Sequence, residues 1–175
     1  MTRNAAQRRS WTFYEAIKLV IVNSTLIISL SSVSHEFILQ VLFQHIVIPK
    51  AVDIELRALE KPGSDFSDSD WVEVSSVQNK DLVQFLEKDL DRGESEVIVL
   101  AKELKADVVI IDENIGYQIA KHFDLPVMRT LSILKTAKAR GVIGEVSPIL
   151  DKMIQKGRWY SKEVVEIFLN SIGEL

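Results

Sequence analysis

Asn23, Glu55, Glu94 and Asp112 carry oxygen donors at places where a strand ends or a helix turns inward. Asn23 closes the apolar run "KLVIV" and is followed by the hydroxyls of Ser24 and Thr25, while Asp112, with Glu113 behind it, closes "DVVII". At roughly 100° per residue, the buried arc of the helical segment from Glu94 onward is set by Val97, Leu100, Ala101 and Leu104. Glu94 falls inside that arc and Glu96 outside it. By the same construction Glu55 lies in the apolar arc between Ala51 and Leu59, and Asp53 turns away. A carboxylate aimed at a core is costly unless something compensates it. Gathered carboxylates raise one another's pKa unless a cation neutralises them, and an all-oxygen donor set suits Mg²⁺ or Mn²⁺. Each group also has an ordinary explanation: Glu94 a helix N-terminal acid, Glu55 the partner of a nearby Arg or Lys, Asn23 a turn residue, Asp112 and Glu113 a loop or cap. Convergence from four separate elements favours a site.

The elements that must position these groups alternate along the chain. "KLVIV", "IVIP", "WVEV", "DVVII" and "LPVMR" read as short strands, with "WVEV" at a sheet edge. Between them lie helical patterns: "HEFILQVLFQH" with Phe37, Ile38, Val41 and Leu42 on one face, and a segment after Pro49 with Val52, Leu56 and Leu59 on one face. Two further helices over residues 79–105 break near Asp91-Arg92-Gly93, and another covers Ile115 to Phe123. Three more finish the chain, punctuated by Gly141, by Ser147-Pro148, and by Gly157 before Ser161. Strands separated by helices predict an α/β fold with a central parallel sheet and helices on both faces. In such sheets ligands sit beyond the carboxyl ends of the strands, the rim that Asn23 and Asp112 would share.

The composition is that of a globular chain: of 175 residues, 47 % are hydrophobic and 26 % charged, and only 7 Gly and 4 Pro leave little room for linkers. With no cysteine there is no disulfide, thiolate nucleophile or cysteine zinc site, which agrees with a cytoplasmic location. "RRSWTFYEAIKLVIVNSTLIISLSSV" has the outline of a signal peptide, but Asn23, Ser24 and Thr25 interrupt its apolar run, which falls short of a membrane span. Residues 1 to 17 read as a basic N-terminal arm, or as a product of an upstream start codon, and residues 18 to 175 as one domain.

The stretches "VNSTLIISL", "VIPKAVDIEL", "LDRGESEVIVLAKELKADVVIIDEN" and "LPVMRTLSILKTAKARGVI" resemble, in order and spacing, the motifs of PIN-domain proteins. The similarity is to the PIN-like group of prokaryotic toxins related to VapC-type ribonucleases, and it runs over about residues 18 to 170. It implies a three-layer α/β/α domain and a Mg²⁺- or Mn²⁺-dependent ribonuclease that leaves a 5′-phosphate. It also implies a toxin paired with a small antitoxin protein, and a homodimer. Its acidic site falls on Asn23, Glu55, Glu94 and Asp112, with Glu113 as an accessory ligand and Ser24 or Thr25 as the hydroxyl beside the first. Glu55, Glu94 and Asp112 would carry catalysis. Two positions depart from the family pattern. Asn23 stands where Asp is usual and offers a carbonyl oxygen without a charge, and Tyr117 stands where a basic residue is common.

Charge is unevenly spread: residues 53 to 96 hold 13 acids and 5 bases, residues 121 to 158 hold 8 bases and 3 acids. From the second group Arg129, Lys135, Lys138 and Arg140 are candidates for RNA phosphate contacts. His35, His45 and His122 have no ligand spacing, and Trp11, Trp71 and Trp159 are too scattered along the chain to read as a base-stacking platform. The alternatives are a non-catalytic PIN-like module that binds RNA or protein, and a phosphoacceptor domain, against which stands the lack of a lysine closing a strand opposite Asp112.

Overall fold

The structure is a computed structural model that describes residues 17–58 and 62–175. The expected basic arm therefore lies outside the described residues apart from Ile17, as does Leu59. Five strands, β1 (Val20–Val22), β2 (Ile46–Pro49), β3 (Val72–Ser75), β4 (Val108–Ile110) and β5 (Val127–Met128), form one sheet. All pairs are parallel, in the order β3-β2-β1-β4-β5. β1 and β4 are buried throughout, as continuous apolar runs in a parallel sheet require. β3 and the two-residue β5 take the edges. Asp107 fixes the start of β1 by accepting from the backbone N–H groups of Lys18 and Leu19, both at 2.9 Å.

The described residues form nine α-helices. Between β1 and β2 run α1 (Ser24–Ser31) and α2 (Phe37–Phe43), and α3 (Lys50–Arg57) follows β2. Between β3 and β4 run α4 (Lys80–Leu86) and α5 (Arg92–Leu104), and α6 (Asn114–His122) joins β4 to β5. The chain closes with α7 (Thr130–Ala139), α8 (Ser147–Gln155) and α9 (Lys162–Ser171). The result is the expected three-layer α/β/α domain around a parallel sheet. After β3 the chain crosses back to the far side of β1, so strand order reverses between β1 and β4. That reversal opens a crevice at the carboxyl ends of these two strands.

Two expectations about helix faces need correction. In α2 the buried residues are Ile38, Leu39, Leu42 and Phe43, whereas Phe37 and Val41 are exposed. The helix begins at Phe37 and packs on β2 through a face one residue further on. In α5 the two-sided arc fails: every residue from Gly93 to Ala101 is buried, and Leu104 is exposed. This helix packs against β1, β2 and β4 on one side and against α3, α4 and α6 around it. Glu96 is consequently buried as well, where it accepts from the backbone N–H of Ala51 at 2.9 Å and caps α3.

Candidate active site

At the end of β1, Asn23 is 3 % exposed and its backbone N–H continues the ladder to the Ile110 carbonyl at 3.1 Å. Its side-chain oxygen accepts from the Ser24 N–H at 2.8 Å and so caps α1. The Ser24 hydroxyl donates to Glu55 Oε2 at 2.9 Å, which ties the first strand tip to the helix after β2. Glu55 reaches the start of α5 because that turn contains Gly93. A methyl group on Gly93 would stand 3.3 Å from both Glu55 Oε2 and Asp91 Oδ1. Asp91 is the N-cap of α5 and accepts from the Glu94 N–H at 2.7 Å.

Glu94 is 6 % exposed, and its Oε1 has no hydrogen-bond partner. Burial first, then the Asp91 and Glu113 carboxylates and more weakly that of Glu55, push its pKa from 4.5 up to about 7; the Asp91 hydrogen bond opposes them. Gly116, in the first turn of α6, lies directly over this carboxyl group: a methyl group there would come within 2.8 Å of Glu94 Oε1 and 3.0 Å of the Ile111 side chain. Glycine at this position lets two helix N-termini approach the same acid.

Asp112 stands beside Asn23 on the same rim, but its carboxylate is already occupied. Oδ1 accepts from the Thr130 N–H at 2.8 Å, Oδ2 from the Thr130 hydroxyl, and Arg158 Nη2 lies 2.8 Å from Oδ2. Arg158, from the turn between α8 and α9, is 3.9 Å from Glu113 and hydrogen-bonds the Tyr160 hydroxyl at 3.3 Å. The exposed Glu113 accepts from Thr25 at 3.2 Å. The hydroxyls flanking Asn23 thus divide, Ser24 toward Glu55 and Thr25 toward Glu113.

The four basic residues read as phosphate contacts separate in space. Arg129 donates to Asn114 at 2.9 Å and its guanidinium lies 4.1 Å above the Tyr117 ring, close to the rim. Tyr117 therefore seats a cation supplied by another element. Lys135 is exposed on α7. Lys138 pairs with Glu174 at 2.6 Å and caps α9 through the Ile172 carbonyl, and Arg140 donates to the Leu42 carbonyl. Leu42 precedes β2 and borders a groove with Ile17 and Lys18, so Arg140 sits at the amino ends of the strands, away from Asn23 and Asp112. Lys138 and Arg140 are structural here. A groove of about 790 Å³ runs from Glu55, Asp91 and Gly93 past Lys50, Lys80 and Arg92, the last two being cations that the charge count concealed within the acidic stretch of residues 53 to 96.

Asp91, Glu96, Arg158 and Tyr160 were the residues missed. The spacing of Asp91 to Glu94 is a helix N-cap signal that could have found the first. Nothing local marks Arg158, whose partner is brought to it only by the fold.

A family model described as a PIN domain matches residues 19–174, and the chain belongs to the PIN-domain family. No curated protein matches it. PIN domains are in general nucleases and typically use divalent metals. Among the described residues no three acidic or histidine side chains are close enough to chelate a metal as they stand. The donor chemistry nevertheless fits one: Glu94 presents an orphaned buried oxygen amid the carboxylates of Asp91, Glu55 and Glu113, which a hard divalent cation would satisfy. Asp112 fits least, because Arg158 already neutralises it. No helix of the described residues is long and apolar enough to cross a membrane.

Proposed function

We propose that this chain is a Mg²⁺- or Mn²⁺-dependent endoribonuclease. The observation that carries the reading is Glu94, whose buried, unpartnered carboxyl oxygen is surrounded by other acids at the strand-order reversal. Glu94, Glu55 and Asp91 would hold the cation, with the Asn23 carbonyl oxygen and Glu113 beside them. When bound, such an ion lowers the pKa of an attacking water and stabilises charge on the phosphate. The chain's own residues supply the rest. Ser24 orients Glu55, the Asp91 cap fixes the first turn of α5 and with it Glu94, and Arg158 and Thr130 immobilise Asp112. Lys50, Lys80 and Arg92 along the large groove suit the RNA backbone. Arg129 and Lys135 remain candidates on the other side. The role of toxin, with a small antitoxin and a homodimeric state, rests on the motif resemblance.

A second reading, a non-catalytic PIN-like module, is favoured by two particulars: Asn23 removes one charge from the donor set, and Arg158 removes another by pairing with Asp112. An RNase assay with Mn²⁺ and with EDTA, wild type beside Glu94→Gln, separates the readings. Metal-dependent cleavage lost in the variant supports the nuclease; none in either protein supports the module. Glu94→Gln serves better than Asp112→Asn, because the latter also weakens the ion pair that holds the half-buried Arg158 and so mixes a structural effect with any loss of activity.

A further inference from the structure

The turn between α8 and α9 reads Lys156-Gly157-Arg158-Trp159-Tyr160, basic and aromatic residues interleaved. It is fastened to the acidic site on both sides of Trp159. Arg158 reaches Asp112 at 2.8 Å, and the Tyr160 hydroxyl bonds Arg158 while its phenol is pushed above its usual pKa first by burial and then by the Asp112 carboxylate. Between these anchors Trp159 is 80 % exposed, the most exposed large apolar side chain among the described residues. A ring of that size on a loop held this firmly has no packing role. The residues before it in the loop, Lys156, Gly157 and Arg158, line a groove of about 340 Å³ together with the hydroxyls of α1 and the apolar Ile28, Pro62 and Met153. Thr25 also bonds Glu113, so the groove and the acidic rim share that residue.

We propose that this loop is the base-reading wall of the site: Trp159 stacks on an unpaired base of single-stranded RNA, while Lys156 meets the adjoining phosphate in the groove. Arg158 acts as a positioning residue that fixes the loop to Asp112. The chemistry selects the ligand. An exposed indole flanked by cations complements the π-face and the phosphates of a nucleotide strand, and a base can lie flat on a single ring only when it is not stacked in a duplex. The inference rests on the nucleic-acid reading above, but it does not require cleavage.

The test is anisotropy of a fluorescein-labelled single-stranded RNA of mixed sequence in EDTA, with wild type, Trp159→Ala and Trp159→Phe. Because the ring is exposed, both variants should melt with the wild type. Trp159→Ala should weaken binding about 5- to 100-fold, Trp159→Phe should recover most of it, and the slope against salt should be unchanged because no ionic contact is lost. Annealing the RNA to its complement should abolish the difference between wild type and Trp159→Ala. Equal binding by wild type and Trp159→Ala overturns the proposal, and if the wild type also cleaves with Mn²⁺ the nuclease reading survives. Trp159-dependent binding without cleavage supports the proposal and defeats the nuclease. A Trp159→Ala variant that changes oligomeric state with RNA binding intact makes the ring a protein contact and overturns the proposal.

Discussion

Glu94 is the residue at which structure and chemistry meet, and its protonation sets a testable pH dependence. Its folded pKa of about 7 stands above its ordinary 4.5, so the folded chain binds this proton more tightly than the unfolded one. The stabilisation is therefore complete below about 4.5 and is lost as the pH climbs through about 7. The gap corresponds to about 3 kcal/mol at most in the absence of metal. Glu94→Gln keeps the shape and removes the charge, so in EDTA it should melt several degrees above wild type at pH 8 and close to it at pH 5. Thermal melts at the two pH values check this, and a constant difference would mean that Glu94 does not titrate in that window. Asn23 poses the opposite problem, a missing charge. Its oxygen already caps α1 through the Ser24 N–H, a role Asp fills equally well. Asn23→Asp should therefore fold and lower the Mn²⁺ concentration needed for RNA cleavage without moving the cut. A rate profile against Mn²⁺ that is unchanged or shifted upward would remove Asn23 from the ligand set.

At the scale of elements, the approach of α6 to α5 is set by one glycine. In Gly116→Ala the new methyl group meets Glu94 Oε1 at 2.8 Å and Ile111 at 3.0 Å, while alanine in a helix gains about 1 kcal/mol over glycine. The flexible end of Glu94 gives way more easily than Ile111, so stability should change by less than about 1 kcal/mol while Mn²⁺ affinity falls severalfold; calorimetric titration with Mn²⁺ reads the second effect. The strands were legible because buried parallel strands are written as short apolar runs, and the rim position of Asn23 and Asp112 followed from them. Helix faces were legible only where one side meets solvent. α5 is enclosed by sheet and helices alike, so angular position could not tell Glu94 from Glu96; both are buried, one unpartnered and the other capping α3. The role of Lys138 was hidden for a related reason. Its partner Glu174 also accepts from the N–H groups of Val146 and Ser147, and together they tie the chain's end to the start of α8. Glu174→Ala should destabilise the domain by about 1–2 kcal/mol, the worth of a lost cap, and leave RNA binding as it was. Reduced RNA affinity with full stability would return this corner to the substrate surface.

Over the whole molecule, the site draws oxygen donors from the ends of β1 and β4, the second turn of α3 and the N-terminal turns of α5 and α6, so it exists only in the folded chain. Denaturation scatters Glu55, Asp91, Glu94 and Glu113 along the sequence, and a cation bound among them stabilises the native state alone. At a Mn²⁺ concentration 100 times its Kd this linkage is worth about 2.7 kcal/mol. For a domain of this size that corresponds to a rise in Tm of about 5–10 °C. Two features of the geometry make the expectation specific. Glu94 must give up its proton to act as a ligand, so the rise should be larger at pH 8 than at pH 6, on the two sides of a pKa of about 7. The salt bridge from Arg158 keeps Asp112 neutralised throughout, so the gain should depend on Glu94 and not on that pair. Melts of wild type and Glu94→Gln, with Mn²⁺ and with EDTA, test both statements at once. The wild type should gain and the variant should gain little. An equal rise in the two proteins at both pH values would place the cation elsewhere on the surface and detach the acidic cluster from metal chemistry.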